Sequence, residues 1–439
     1  MSNSHKIYKP KSISGFPEWL PEYRAVELKW LDHIRQTFES YGFCSIETPA
    51  VEELDVLRAK GEVDKEIYVL ERLHKDEDDD SEARLALHFD QTVPLARYVA
   101  QHFNDLVFPF KRYQIQKVWR GERPQLGRMR EFYQCDIDVL HVDNLPISFD
   151  AEIPAMIYEA LDGLDIGRVQ LRINNRKILI GFLNACGIES QNEITEITRI
   201  IDKLEKIGEN EVAAELKKAG VLPDTVEKLL TLARNKGHNL DFTKIEPLND
   251  MMKEGLDELK FVMDTLAHLP DHAAIADLSI VRGLDYYTGT VYETQLLDVP
   301  EFSGSVCSGG RYDDLASSYI NKKLPGVGIS IGLSRLFDVL KQNGKIEPGP
   351  KSPADILMVL PSEERRKEAM ETARTLRSRG YKVEMYHAPQ KVKKQLSYAE
   401  KKGIPYVWFP PFEDGNAHEV KNMEKGEQVQ ADPDKWEKS

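Results

Sequence analysis

Two strand-like segments that carry charged residues, Phe108 to Trp119 and Phe132 to His141, flank a short basic loop. Apolar residues of high β-propensity dominate both segments, which predicts a pair of adjacent strands. On such strands, side chains two positions apart face the same side of the sheet. Charge in apolar surroundings needs a partner or a ligand, because burying it alone is costly. The hairpin is therefore the first candidate for a binding site.

Further strand-like segments lie along the chain, and a helical block interrupts them. They are Leu85 to Phe89, Val169 to Ile173, Asp277 to Val281, Thr290 to Leu296 and the start of Val327 to Leu340, which continues into a helix. Between about 177 and 269 the apolar residues recur instead at helical spacing, among many Glu and Lys. The sequence therefore predicts an α+β fold in which an antiparallel sheet, flanked by helices, is interrupted by a helical insertion.

The N-terminal region predicts one long amphipathic helix over Pro21 to Tyr41, which Gly42 ends. The following segment, Phe43 to Val51, is typical of a short strand closed by Pro49. We expect the first domain to comprise residues 1–342, with the helical insertion at about 177–269.

Glycine and proline accumulate in residues 343–353, which predicts a linker and a second domain over 354–439. Strand-like and helical segments alternate in this second domain, as in a small parallel α/β unit. From Lys351 to Gly403 there are 13 Lys and Arg against 7 Asp and Glu, within a protein of net charge −14. This local basic excess suits an RNA partner, although helix faces exposed to solvent would also explain it.

Composition excludes several other classes of protein. No stretch approaches the roughly 18 apolar residues that a membrane span needs. The N-terminus lacks the apolar core of a secretory signal, so the cytoplasm is the expected location. Four cysteines are scattered singly, so we expect no dedicated metal motif.

Within the hairpin, Arg120 and Glu122 share one face, as do Arg130 and Phe132. An arginine suits a phosphate and an aromatic ring suits a purine. On the return strand, Gln134, Asp136 and Asp138 share a face and offer an amide and carboxylates to a cationic or hydrogen-bonding ligand. Structural salt bridges are the alternative explanation for isolated residues of this kind.

Three later segments also place charged or glycine residues among apolar ones. They are Arg282-Gly283-Leu284-Asp285-Tyr286-Tyr287, Ser308-Gly309-Gly310-Arg311-Tyr312-Asp313 and Gly326 to Leu336. The paired glycines of the second segment would let a ligand approach the backbone closely. The third is a glycine-punctuated strand and helix, without the Gly-Lys-Ser/Thr of a phosphate-binding P-loop.

Together these segments resemble the class II aminoacyl-tRNA synthetases. The helix, strand and Pro49 resemble the first motif of that class, the Arg120 to Asp138 hairpin its second, and Gly326 to Leu336 its third. The Arg282 to Tyr287 and Ser308 to Asp313 segments resemble those of the histidyl-tRNA synthetase family. The resemblance spans nearly the whole chain and implies the class II antiparallel sheet, the helical insertion and a C-terminal α/β anticodon-binding domain.

The resemblance implies ATP as a substrate, accompanied by Mg²⁺. It implies that Arg120 holds the α-phosphate, that Phe132 and Arg335 sandwich the adenine, and that Glu122 and Arg130 help to position the triphosphate. Arg282 is implied to act with Arg120 in catalysis, by stabilising the charge that develops on the α-phosphate.

L-Histidine is the second substrate that the resemblance implies. Asp90, Thr92 and Gln134 are implied to bind its α-amino group, and Asp138, Tyr287 and Tyr312 its imidazole. Gln91, Tyr286 and Arg282 complete the residues expected at this site. A site that pairs both imidazole nitrogens rejects apolar amino acids, whose binding would leave its own polar groups unpaired.

Three positions depart from the family pattern. His88 stands where Arg is common, Gln91 where a non-amide residue is common, and Ser334 where Glu precedes the adenine-binding arginine. The absence of that Glu removes an expected partner of nearby arginines, which bears on efficiency more than on identity.

The implied partners are tRNA(His) and a second copy of the chain in a homodimer. The insertion is implied to clasp the tRNA acceptor arm, although a packing domain would have a similar composition. The main alternative is a non-catalytic relative that serves as a regulatory subunit in histidine biosynthesis. Such relatives typically lack both the anticodon-binding domain and the arginine at position 282, and this chain has both.

Overall fold

The structure is a computed structural model that describes residues 8–58, 66–72, 84–281, 287–302, 304–314 and 316–438. Its internal contacts divide the chain into two units. One contains residues up to Glu18 together with Trp30–Ile346, and the other contains Trp19–Lys29 together with the chain from Glu347 onward. No described helix is both long and apolar enough to cross a membrane.

The strands of the first unit, within its described residues, form a large sheet and a small one. In chain order they are β1 (Cys44–Ser45), β2 (Val51–Glu53), β3 (Tyr68–Val69), β4 (Leu85–Leu87), β5 (Phe110–Trp119), β6 (Glu131–Leu140), β7 (Val169–Asn175), β8 (Lys236–Gly237), β9 (Ala274–Asp277), β10 (Tyr287–Leu296), β11 (Cys307–Tyr312) and β12 (Gly326–Gly332). The large sheet has the order β1-β5-β6-β12-β11-β10-β7-β9-β8, and the small one β2-β4-β3. The neighbours from β5 to β7 in this order all pair antiparallel, which confirms the predicted antiparallel sheet.

Helices flank this sheet and fill the predicted insertion. They are α1 (Pro21–Ser40), α2 (Leu54–Arg58), α3 (Thr92–Gln101), α4 (Phe149–Asp162), α5 (Arg176–Ala185), α6 (Gln191–Ile201), α7 (Leu204–Lys218), α8 (Pro223–Ala233), α9 (Asp250–Thr265) and α10 (Leu333–Gln342), with two short 3₁₀ helices at Phe242–Lys244 and Leu266–His268. Helix α9 begins where the Asn249 side chain accepts a hydrogen bond from the Met252 amide. Close approach of α5 and α9 requires glycine, because a Cβ at Gly181 would lie 2.5 Å from the Met252 amide nitrogen.

Two predicted strands are wrong in their bounds. The segment Phe43 to Val51 forms two short strands, β1 and β2, which lie in different sheets. The strand predicted over Asp277 to Val281 ends at Asp277 instead, because the Asp277 carboxylate accepts a hydrogen bond from the Ser279 amide and turns the chain. Such a local side-chain bond competes with continuation of the strand.

The second unit has a sheet of three parallel strands extended by two antiparallel ones, within the described residues. Its elements are β13 (Ile356–Met358), α11 (Arg366–Ser378), β14 (Val383–Met385), α12 (Val392–Lys402), β15 (Tyr406–Phe409), β16 (Glu419–Asn422) and β17 (Gln428–Gln430), in the sheet order β14-β13-β15-β16-β17. The parallel α/β part confirms the prediction. Strands β16 and β17 were not predicted from the sequence, because they are short and largely polar.

Candidate active site

Two adjoining cavities lie on the central strands of the large sheet. The outer cavity has a volume of about 220 Å³ and is lined by Arg120, Glu122, Gly127, Arg128, Met129, Phe132, Gln134, Ser305, Val306, Cys307, Ser308, Ser330, Gly332 and Arg335. A smaller inner cavity is lined by Thr92, Asp136, Asp138, Tyr287, Ser308, Tyr312, Gly328, Ile329 and Ser330. Ser308 and Ser330 line both cavities, so the two are neighbours.

The outer cavity combines guanidinium groups with the aromatic ring of Phe132. The Arg120 guanidinium carbon lies 5.2 Å from the centroid of the Phe132 ring, and its Nε donates to the Phe89 carbonyl over 3.1 Å. Arg335 also lines this cavity, and its guanidinium carbon lies 5.3 Å from the ring centroid of Phe302, which lies outside the lining. Both distances permit a cation–π attraction. Phe302 was missed by the sequence analysis because the loop that carries it has no periodic pattern.

The loop between β5 and β6 presents Arg128 to the outer cavity. Arg128 Nη1 lies 3.7 Å from Glu122 Oε2, and both residues line the cavity. Arg130, which the sequence analysis named, lies outside the lining, and its Nε donates to the Glu122 carbonyl over 3.1 Å. The expected face-sharing of Arg130 and Phe132 does not bring both side chains to this cavity, because β6 begins only at Glu131.

Asp138 is the most constrained carboxylate of the inner cavity. Its Oδ2 lies 2.5 Å from Nη2 of Arg112, and its Oδ1 accepts a hydrogen bond from the Tyr312 hydroxyl over 2.9 Å. Burial raises the pKa of Asp138 to about 7, while the Arg112 guanidinium opposes this rise. Arg112 is fully buried and was not among the predicted site residues.

Two more buried carboxylates, Asp90 and Asp136, neighbour Asp138. Burial raises the pKa of Asp90 to about 6 and also raises the pKa of Asp136, with Arg112 opposing both shifts. Asp90 Oδ1 accepts a hydrogen bond from the Val93 amide in the first turn of α3. Asp136 lines the inner cavity, whereas Asp90 lies outside both linings.

The remaining predicted histidine-binding residues occupy different places. Thr92 and Tyr287 line the inner cavity and Gln134 lines the outer one. Gln91 is fully buried outside both linings, where its Nε2 donates to the Gln116 and Gln134 carbonyls over 3.0 and 3.2 Å. Arg282 and Tyr286 lie outside the described residues.

Glycines make room for side chains of the inner cavity. Gly328 lies opposite Asp138 in the β12–β6 pairing, and a Cβ there would overlap the Asp138 carboxylate. At Gly310 a Cβ would lie 2.8 Å from the Thr290 carbonyl oxygen, and at Gly309 it would overlap the Gly328 carbonyl. Neighbouring protein atoms therefore fill the space in which a side chain at Gly309 or Gly310 would lie.

Two departures from the family pattern have structural partners. His88 is fully buried, and its Nε2 lies 2.7 Å from the Lys117 carbonyl, while burial lowers its pKa. The Ser334 hydroxyl accepts a hydrogen bond from the Tyr133 amide over 2.9 Å, which joins α10 to β6. The conspicuous Arg311 forms a buried ion pair with Asp150 of α4, so it anchors a flanking helix to the sheet.

The antiparallel sheet, its arginine and aromatic cavity and the adjoining cavity of carboxylates and phenols define a class II aminoacyl-tRNA synthetase. A family model described as histidyl-tRNA synthetase matches residues 15–336, and one described as anticodon binding domain matches residues 355–438. The chain belongs to the histidyl-tRNA synthetase family.

Relatives agree with this assignment. The chain is similar to the histidine–tRNA ligase of Thermobifida fusca, at 56% identity over 99% of each sequence. It is also similar to the crystal structure of histidyl-tRNA synthetase from Nostoc sp. PCC 7120, at 39% identity, a TM-score of 0.84 and 97% coverage of each chain. An ATP phosphoribosyltransferase regulatory subunit/histidyl-tRNA synthetase from Bacillus halodurans has a TM-score of 0.73 over 90% of this chain and 97% of its own. At 22% identity, that likeness concerns the fold alone.

Proposed function

We propose that this chain charges tRNA(His) with L-histidine in two steps that use ATP. A carboxylate oxygen of histidine bonds to the α-phosphorus, the bond from the α-phosphorus to the bridging oxygen breaks, and pyrophosphate leaves. A ribose hydroxyl at the 3′ end of the tRNA then bonds to the histidyl carbonyl carbon, and AMP leaves. The observation that carries this proposal is the buried Asp138, held by Arg112 and Tyr312 beside a cavity suited to a nucleotide.

The outer cavity is the proposed ATP site. Arg120 would bind the α-phosphate, with Phe132 and Arg335 on the two faces of the adenine ring. These roles draw support from the lining, which includes all three side chains. Glu122 and Arg130 would position the triphosphate, Glu122 directly and Arg130 through its hydrogen bond to the Glu122 backbone.

Histidine would occupy the inner cavity, with its carboxylate toward the outer one. Its α-amino group would bind Asp90, Thr92 and Gln134, while Gln91 would fix the Gln134 backbone. The imidazole would contact Asp138, Tyr287 and Tyr312, and Tyr286 completes this proposed set. An ionised Asp138 accepts the imidazole N–H, which favours a ring with one donor and one acceptor.

Arg282 is the proposed catalytic partner of Arg120. The carboxylate attack adds negative charge around the α-phosphorus, and a guanidinium aimed there stabilises the transition state more than the bound substrates. No protein nucleophile takes part in this scheme.

Magnesium would bind together with ATP, as a complex with its phosphate groups. The described residues hold no group of three or more His, Cys, Asp or Glu side chains placed to bind a metal ion. Mg²⁺ commonly binds through phosphates and one or two carboxylates, and Glu122 is a carboxylate that lines the outer cavity. Bound there, the ion would neutralise charge on the departing pyrophosphate.

We also propose the roles of the other regions. Residues 1–342 form the catalytic domain, with the insertion at about 177–269 contacting the acceptor arm, and 343–353 is the linker. Residues 354–439 bind the anticodon through their basic helices. The active form is a homodimer through the first motif, and the enzyme works in the cytoplasm, where translation uses its product.

The test is exchange of labelled pyrophosphate into ATP, with magnesium, for histidine and for each other amino acid separately. Exchange with histidine alone supports the proposal, and exchange with another amino acid overturns the assignment of the pocket. Exchange with none would favour the regulatory-subunit alternative. In the same assay Arg282→Ala should abolish exchange and leave histidine binding largely intact. Undiminished exchange would refute the role of Arg282.

A further inference from the structure

A tight turn in the N-terminal region lies against the loop that joins β5 to β6. The Phe16 amide closes this turn by donating to the Ile13 carbonyl over 3.1 Å, and Gly15 has a φ of 84°, a conformation that favours glycine. The Gly15 carbonyl accepts hydrogen bonds from the amides of Arg130 and Glu131, over 2.7 and 3.2 Å. The turn therefore holds the chain where the loop ends and β6 begins.

These bonds complete the hydrogen bonding at the base of the loop. The Arg120 amide donates to the Arg130 carbonyl over 2.9 Å, which extends the β5–β6 pairing by one bond. In a regular antiparallel pair of this kind the two residues exchange both backbone bonds. The Arg130 amide instead donates to Gly15. The base of the loop is thus tied to β5 on one side and to the N-terminal turn on the other.

Gly15 also lies between the outgoing and the returning parts of this loop. A Cβ at Gly15 would lie 2.9 Å from Cγ of Pro124 and 2.9 Å from Cγ of Arg130. Carbon atoms in ordinary contact are about 3.5–4.0 Å apart, so a side chain at this position would displace the turn or the loop. The bare Cα lets the turn contact both parts of the loop at once.

The loop that is held in this way, residues 120–130, forms much of the wall of the outer cavity. The lining residues that lie on it are Arg120, Glu122, Gly127, Arg128 and Met129. Arg130 connects the turn to this lining, because its amide donates to Gly15 and its Nε donates to the Glu122 carbonyl over 3.1 Å. None of the described residues that line the inner cavity comes from this loop. A displacement at Gly15 therefore reaches the outer cavity and spares the inner one.

The chain around β3 supports both the turn and the loop. The Phe16 ring lies 6.4 Å from the Tyr68 ring between centroids, at an interplanar angle of 58°, within the range of favourable aromatic pairs. The Gly121 amide donates to the Glu66 carbonyl over 2.8 Å. The turn is therefore anchored on a second segment that itself contacts the loop.

We propose that Gly15 is a positioning residue for ATP, and that its carbonyl and its bare Cα hold both parts of the 120–130 loop in the conformation that binds the triphosphate. This inference rests on the proposed function, in which the outer cavity binds ATP. A loop that is already ordered loses less conformational entropy when the nucleotide binds, which raises the affinity. Because the turn acts on this loop, its effect falls on ATP and spares histidine.

The test is Gly15→Ala, measured by histidine-dependent pyrophosphate exchange at several concentrations of each substrate. The added Cβ strains the turn and displaces the loop, so the KM for ATP should rise about 10-fold or more, while the KM for histidine stays within about twofold. Gly187→Ala is the matched control, because Gly187 has a φ of 83° and its Cβ would meet nothing within 4 Å. This control carries the same backbone strain and should keep both KM values. An equal rise in both KM values of Gly15→Ala, or an unchanged KM for ATP, would overturn the proposal.

Phe16→Ala tests the same turn without backbone strain, and it carries the test if Gly15→Ala fails to fold. Loss of the ring contact with Tyr68 should loosen the turn and raise the KM for ATP about 3- to 10-fold, with the KM for histidine unchanged. Phe261→Ala, at an exposed position on α9, is its control and should leave both KM values unchanged. A wild-type KM for ATP in Phe16→Ala would contradict the inference. Failure of the proposed function itself would be distinct, because the unaltered chain would then show no histidine-dependent exchange.

Discussion

Tyr312 donates its phenolic hydrogen bond to Oδ1 of Asp138 over 2.9 Å, from the strand β11 two places away in the sheet. Arg112 approaches the other oxygen from β5. The carboxylate is thereby held on both oxygens by groups from both sides of β6, and all three residues are buried. The proposed imidazole acceptor is therefore oriented by side chains of two other strands of the same sheet.

Gly328→Ala should damage the histidine site selectively. A Cβ at this position would overlap the Asp138 carboxylate, which must then leave its bonded position. We expect the KM for histidine to rise at least about 10-fold, since a disrupted hydrogen bond to a charged group costs about 1.5–3 kcal/mol. Pyrophosphate exchange at varied histidine measures this. Gly332→Ala on the same strand is the control, because its Cβ meets nothing nearer than 3.5 Å.

Asp138 should make the stability of the ligand-free protein depend on pH. Its pKa is about 7 when folded and 3.8 for the ordinary side chain, so the folded state retains a proton that the unfolded state loses as pH rises from 4 to 7. The free energy of unfolding therefore falls across this window. The difference in free energy of unfolding between Asp138→Asn and wild type should therefore shift in favour of the variant by up to about 4 kcal/mol as pH rises from 4 to 7.

Denaturant unfolding at several pH values between 4.5 and 7.5 would measure that difference. Asp298→Asn is the control, because the hydrogen bonds from Arg168 hold the pKa of Asp298 at about 2, below the window. The free energy of unfolding of Asp298→Asn should differ from that of wild type by the same amount at every pH. A difference that is also independent of pH for Asp138→Asn would contradict the prediction.

The hairpin could be predicted from sequence, but its register could not. Arg112, Gln114 and Gln116 alternate on β5 and lie directly opposite Asp138, Asp136 and Gln134 of β6. The β6 residues were predicted to share one face, whereas the matching polar alternation on β5 was not predicted to belong to the site. The loop of 11 residues between the strands does not specify pairing, so the partners became visible only in the structure.

Residues supplied by irregular segments were also beyond prediction. Ser305 reaches the outer cavity from the connection between β10 and β11, and Phe302 on the same connection contacts Arg335, although no periodicity marks a face there. Arg128 and Arg130 could not be told apart, because the chain between β5 and β6 turns at the bridge of Gln125 with Arg128. Helices and strands could therefore be predicted from periodic segments, whereas the positions of loop side chains could be determined only from the structure.

Phe302→Leu should weaken the binding of ATP without affecting the binding of histidine. The ring lies against the Arg335 guanidinium at 5.3 Å, and leucine keeps much of the bulk while removing the aromatic face. Loss of a partly desolvated cation–π contact of roughly 1–2 kcal/mol should raise the KM for ATP about 5- to 30-fold. Pyrophosphate exchange at several ATP concentrations measures this KM. Phe261→Leu, at an exposed position on α9, should leave both KM values unchanged.

Ser334→Ala should lower stability more than activity. The Tyr133 amide donates to the Ser334 hydroxyl, and alanine would leave that amide without its acceptor. We expect a loss of about 1–3 kcal/mol in the free energy of unfolding, with both KM values within about twofold of wild type. Thermal and denaturant unfolding measure the change in the free energy of unfolding. The exposed Ser317→Ala is the matched control. A large rise in the KM for ATP would instead indicate that Ser334 serves the nucleotide site.

Arg112→Met should move the pH dependence of histidine activation to higher pH. The guanidinium opposes the rise in the pKa of Asp138, so its removal raises that pKa further above 7 and leaves a neutral carboxyl at pH 7. Arg112 also lowers the pKa of Asp90, Asp136 and Tyr312 in the same cluster, so these acidic groups should likewise become harder to ionise when it is removed.

At pH 7 we expect the KM for histidine to rise at least about 10-fold in Arg112→Met, and the defect to shrink toward pH 9 as Asp138 ionises. Removing one partner of a buried pair also costs about 3–5 kcal/mol of stability, so Arg112→Lys serves as the milder variant that keeps the charge. Arg168→Met, at an exposed pair with Asp298, controls for loss of an arginine. A defect that is constant from pH 6.5 to pH 9 would mean that Arg112 acts through packing, with no influence on the ionisation of Asp138.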